Sequence, residues 1–165
     1  MRQLFFLSII SVFFVGCKGP DNDKQYAMQK QIDSLQTTVT KMKPGLGELM
    51  LSIQVHHAKL WFAGKNANWR LANFEVDEIK EILSTAEAIE TDRPEIKTLP
   101  MIYPPIDSLT KAIQSKDTTF FKSSFITLTN TCNSCHHAVN FDFNVIKIPD
   151  NPPFSNQVFD KGTNN

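Results

Sequence analysis

Apolar positions recur along this chain at the spacing of α-helices. Met28, Ile32, Leu35, Val39 and Met42 follow one another at intervals of four and three, a narrow seam of about two heptads within a helix predicted over residues 25–43. So short a seam suits a dimerising stalk, which would make a homodimer, but it more often packs on its own domain. Lys43-Pro44-Gly45 ends it. A second helix begins near Leu46, with Leu46, Leu49, Met50, Ile53, His57, Leu60, Trp61 and Gly64 on one stripe. Residues 64–68 read as a break. Trp69, Ala72, Val76, Ile79, Ile82, Leu83, Ala86 and Ile89 then mark a third, amphipathic helix. Its other face carries Glu75, Asp77, Glu78, Lys80, Glu81 and Glu87 and reads as a solvated surface. Pro94, Pro100, Pro104 and Pro105 make residues 91–105 a long connection with little expected regular structure. A short helix follows with Ile106, Leu109 and Ile113 inward. Asp117 or Thr118 can cap the last one, where Phe121, Phe125, Leu128, Cys132, Cys135 and His136 share a face. Beyond Asn140 the period is lost. Phe141, Phe143, Val145, Ile146 and Ile148 predict an extended stretch packed back on the domain, and residues 149–165 a C-terminal tail.

The N-terminus has a different character. Arg2 precedes an apolar run over residues 4–15 broken only by serines, shorter than the roughly 20 residues that cross a bilayer. Residues 1–16 therefore read as an export signal. Its end, Phe14-Val15-Gly16-Cys17, resembles a bacterial lipobox, with Phe14 where a branched aliphatic is usual. The resemblance implies cleavage before Cys17 and lipid on that cysteine. The acyl chains would hold the protein to a membrane of the bacterial cell envelope, facing the periplasm or the surface. Residues 17–24 are polar and read as a tether.

Lys and Arg together number 17, as do Asp and Glu, and no basic run supplies a phosphate footprint, so nucleic acid is not an expected partner. Of three cysteines, two lie in Cys132-Asn133-Ser134-Cys135-His136. This is C-x-x-C-H, the attachment pattern of one covalent haem c. Two thiols three apart and the next histidine share one side of a helical turn. Both thioethers and an iron ligand can therefore come from one short segment. The competing readings are a C-x-x-C redox pair and a structural zinc site with two histidines; export to an oxidising compartment favours haem.

For the sixth position on the iron, His57 is the first candidate and Met50 the alternative. They lie two turns apart, about 10 Å along the axis, so both cannot reach one iron. A histidine inside an apolar stripe needs a partner for its ring nitrogens, and iron is one. An open position is the third option; His56, His137 and Met101 complete the set.

A mostly helical chain with a lone C-x-x-C-H on its last helix resembles the cytochrome c-prime class of four-helix-bundle cytochromes, over about residues 46–137. The resemblance implies an all-α, four-helix-bundle-like domain over residues 44–148, with Cys132 and Cys135 as thioether anchors and His136 as proximal ligand. Members of that class leave the other side of the haem open or place there a methionine from the first bundle helix. The extra N-terminal helix and the long C-terminal extension depart from it. His57-Ala58-Lys59-Leu60-Trp61, Asn68-Trp69 and Phe154-Ser155-Asn156-Gln157 also look like a group of small bacterial exported haem proteins. The expected role is electron transfer between redox protein partners, without enzymatic turnover. A gas-binding, gas-sensing or peroxidase-like protein with an open iron is the alternative. Gly45-Leu46-Gly47 is no phosphate loop, and neither G-x-S-x-G nor H-E-x-x-H occurs.

Overall fold

A computed structural model of the chain describes residues 21–160, which carry five α-helices and one 3₁₀ helix, with no strand among these described residues. The signal read at residues 1–16 and Cys17 lie outside the described residues. The chain divides into two units, Met1–Lys43 and Pro44–Asn165.

In the first unit, α1 spans Asn22–Met42 and so begins inside the stretch expected to be a tether. Asp23 in its first turn meets the partial positive charge of the helix start, and the Asp21 carbonyl accepts from the Gln25 amide, so this polar stretch opens a helix. The predicted seam is there, and it is exposed: Met28 is 61 % accessible, Leu35 64 % and Val39 68 %. No residue of α1 is buried. Lys43, extended, precedes Pro44 and ends the helix.

The second unit contains α2 (Leu46–Lys65), α3 (Trp69–Ile89), the 3₁₀ helix Pro94–Ile102, α4 (Tyr103–Ser115) and α5 (Thr118–Ala138). Helix α2 packs along α3 and α4 along α5, while α5 returns to α2 and α4 meets α3. Leu60, Val76, Leu109, Phe121, Phe125 and Leu128 form the centre of one apolar core. The joints follow from local chemistry. Ala67 adopts a left-handed conformation between α2 and α3, and the Asn68 side chain then accepts from the Leu71 amide to start α3. Asp117 caps α5 through two amides, those of Thr119 and Phe120, both at 2.9 Å. Gly64 is there for contact: a Cβ would lie 2.0 Å from the Phe121 ring. The missing side chain lets that ring press against the α2 backbone.

Two expectations fail here. Residues 91–105 are not irregular. Pro94 opens the 3₁₀ helix, and Pro104 and Pro105 sit in the first turn of α4, where a missing N–H costs no hydrogen bond. Leu99 and Ile102 join the core. Nor is the whole polar face of α3 solvated. Glu75 is fully buried, its Oε2 2.7 Å from His56 Nδ1 and its Oε1 2.6 Å from Lys59 Nζ, both on α2. The charge pattern of α3 alone could not reveal partners supplied by another helix. Breaking such a buried pair costs about 3–5 kcal/mol, because the remaining charge is left without compensation.

Among the described residues after α5 there is no further helix, as expected. The distal tail still reaches the core: Phe159 is buried against Phe62, ring centroids 5.8 Å apart, and Asn68 Nδ2 donates to the Asp160 carbonyl. No helix of the described residues is long and apolar enough to cross a membrane.

Candidate functional site

The buried side chains Phe121, Phe125 and Leu128 fix the rotation of α5 about its axis. Helical periodicity then carries Cys132, Cys135 and His136 to the same side, one to two turns further on. All three line an apolar cavity of about 390 Å³. That falls in the range of about 300–1,000 Å³ usual for small-molecule and cofactor sites. Leu46, Met50, Ile53 and His57 of α2 form a second wall, and Leu99 of the 3₁₀ helix and Ile79 of α3 contribute to the rest. Residues 139–146, past the end of α5, complete it through Val139, Phe141, Asn144 and Ile146.

That last segment turns back for a specific reason. Asn140 is left-handed, with φ 62°, directly after the C-cap Val139. The Phe141 amide donates to the His136 carbonyl at 2.8 Å and the Asn140 amide to that of His137 at 3.2 Å, the paired bonds of a Schellman motif. The chain therefore reverses over the residues of the C-x-x-C-H motif. His136 Nδ1 donates to the Asn144 carbonyl at 2.6 Å. A carbonyl can only accept, so Nδ1 carries the proton, and the neutral ring keeps its lone pair on Nε2. This second contact defines which nitrogen a metal can use.

The thiols differ. Cys135 Sγ lies 2.8 Å from Thr98 Oγ1, whose own proton goes to the Glu95 carbonyl, so the thiol is the donor. Burial, with a smaller contribution from Cys135, pushes the Cys132 thiol up to about 12. Cys132 is therefore protonated at neutral pH, unlike the low-pKa thiolate that drives disulfide exchange.

His57 is 3 % exposed, and its ring packs on Phe125 with centroids 4.4 Å apart. Thr129 gives its hydroxyl proton to the Phe125 carbonyl, so it accepts from His57 Nε2 at 2.9 Å. Desolvation lowers the ring pKa to about 4 and holds it neutral. The buried-polar requirement that pointed His57 at a metal is thus already met by Thr129. Met50 lines the same cavity, partly buried. His56 points to Glu75, His137 is exposed, and neither His137 nor Met101 lines the cavity. Arg93 is the sole lysine or arginine among the described lining residues, and it pairs with Glu95 at 2.9 Å.

The structure thus brings Cys132, Cys135, His136, Met50 and His57 to one cavity. Sequence reasoning missed Thr98, Asn133 and Asn144. Only the turn carried a legible signal, an asparagine just past the last periodic residue of a helix. Among the described residues no group of three or more His, Cys, Asp or Glu side chains is arranged to hold a bare metal ion. No family model, curated protein or solved structure matches this chain.

Proposed function

We propose that this chain is an exported, lipid-anchored cytochrome with one covalent haem c, built as a four-helix-bundle-like domain and working in electron transfer between redox protein partners. One observation carries the reading: both thiols of the motif and the histidine beside them line a single apolar cavity of cofactor size, with the His136 lone pair left on Nε2. When bound, the group supplies one-electron exchange at its iron. Cys132 and Cys135 would hold it by thioethers, and His136 Nε2 would be the nitrogen offered to its iron. The apolar walls would exclude water from it, and Arg93, paired with Glu95, is the lysine or arginine that the described lining would present to an anionic group.

On the α2 wall, Met50 is now the stronger candidate for the sixth position, since Thr129 already occupies His57 Nε2. The same occupancy favours a second reading, a gas-binding protein with that position open. A peroxidase-like role has less support, because His56 is tied to Glu75 and His57 to Thr129. Cys17, in the signal-like N-terminus, is the proposed site of lipid attachment, which puts the protein in the bacterial cell envelope.

The visible spectrum of the exported protein, oxidised, reduced and then under carbon monoxide, tests this. Sharp low-spin bands indifferent to the gas are expected for electron transfer. A high-spin spectrum that shifts with the gas gives the second reading the lead, and no haem bands at all would overturn both. In fractionation, Cys17→Ser should leave the membrane pellet; retention there counts against the lipid anchor.

A further inference from the structure

Of the two motif residues that neither anchor nor ligate, Asn133 is the more firmly bonded. Asn133 lies between the haem cysteines in the sequence, and its side-chain amide pairs with both backbone groups of Ile146: Nδ2 donates to the carbonyl and Oδ1 accepts from the amide, each at 2.8 Å. A primary amide that meets one residue's N–H and C=O together fixes that residue's position along the α5 surface and its orientation. Two residues earlier in the chain is Asn144, whose carbonyl takes the His136 Nδ1 proton. At the other end, the segment is fixed by the left-handed Asn140 and the two Schellman bonds.

We propose that Asn133 is a positioning residue for His136, acting through the strap of residues 140–146 that it clasps. This rests on the haem reading above. Apolar burial within the strap is limited to the partly buried Ile146. Phe143 is 78 % exposed and Val145 71 %, so neither contributes much burial, and the only hydrogen bond inside the strap is the turn from the Asn144 amide to the Phe141 carbonyl. The Asn144 carbonyl therefore stays under His136 because Asn140 turns the chain and Asn133 pins Ile146. Without the clasp, the carbonyl drifts from Nδ1. The histidine then loses the partner that sets its tautomer and raises its basicity as a ligand. Ile146 and, just past the strap, Ile148 are partly buried, and the side-chain amide of a motif residue fixes where that stretch lies on α5.

Two measurements on full-length exported protein separate the proposal from the reading beneath it. Lys147 follows the clasped residue and is exposed, so trypsin cleavage there reports opening of the strap whether or not haem is bound. Asn133→Ala should be cut at Lys147 about tenfold faster than wild type, from the loss of two backbone bonds. Asn133→Asp, which can still accept from the Ile146 amide, should fall between. In the haem-loaded protein, Asn133→Ala should raise the reduction potential, since a less basic imidazole stabilises the oxidised iron less. Asn140→Val, which forces a β-branched residue into a left-handed position, should reproduce both effects, and Asn140→Gly should leave both at wild-type values. Faster cleavage with unchanged potential would overturn the positioning role, as would wild-type cleavage in Asn133→Ala. Wild-type protein that carries no haem would remove the role through the reading it rests on, and the trypsin arm would then show whether the clasp itself exists.

Discussion

Two histidines reach the same cavity from different helices, and each has one ring nitrogen already engaged. His136, on α5, gives its Nδ1 proton to a backbone carbonyl of a reversed, exposed strap and is only partly buried. His57, on α2, gives its Nε2 proton to a threonine inside the core and is almost inaccessible. The first ring is oriented with Nε2, the nitrogen farther from its backbone, left unbonded. The second is consumed in packing, stacked against Phe125 and held neutral by desolvation. The same residue type serves display in one wall and structure in the other. What separates them is the partner of the first nitrogen and the burial around it, neither of which can be read from apolar spacing.

Substitution should make the contrast sharp. His136→Ala removes the proposed axial ligand and is expected to abolish the low-spin spectrum, whereas His57→Gln keeps it. The visible spectra of the two variants decide the assignment, and equal loss in both would erase the distinction. Next in size is the acid response. His57 has its folded pKa lowered to about 4, from 6.5. Between those values the unfolded chain binds a proton that the folded one does not, so stability is full above about pH 6.5 and falls as pH drops toward 4. The shift corresponds to on the order of 3 kcal/mol, and urea unfolding across that window should show the loss reduced in a His57→Gln background. Thr129→Val leaves the His57 donor unpaired in the core and should cost about 1–3 kcal/mol without moving the haem bands. Gly64→Ala falls in a similar range, about 1–3 kcal/mol, because the Phe121 ring must move to admit a methyl. Smallest is Leu35→Ala in the exposed seam of α1, expected within about 0.5 kcal/mol by thermal unfolding.

The parts legible in the sequence were those governed by periodicity. The α5 stripe Phe121, Phe125, Leu128 continued into Cys132, Cys135 and His136, and the cavity lies where that stripe leads. Asp117 capped as its chemistry dictates. Two of the failures, Glu75 and the strap, depended on partners distant in sequence. Glu75 reads as surface until His56 and Lys59 meet it from α2. The prolines of residues 94–105 look like breakers, but Pro94, Pro104 and Pro105 sit at helix starts and Pro100 is accommodated inside the 3₁₀ helix. The strap had no spacing signal because side-chain hydrogen bonds from Asn133 and His136, together with the one partly buried residue Ile146, hold it. The α1 seam shows the converse: a clear period whose residues stay exposed.

The most direct test of the central claim is a haem-stained denaturing gel, paired with a pyridine haemochrome spectrum, of exported wild type and of the Cys132→Ala, Cys135→Ala double variant. Covalent attachment at the α5 wall predicts a stained band and a c-type haemochrome in wild type and neither in the double variant. An unstained wild type, or staining that survives loss of both thiols, would contradict the account.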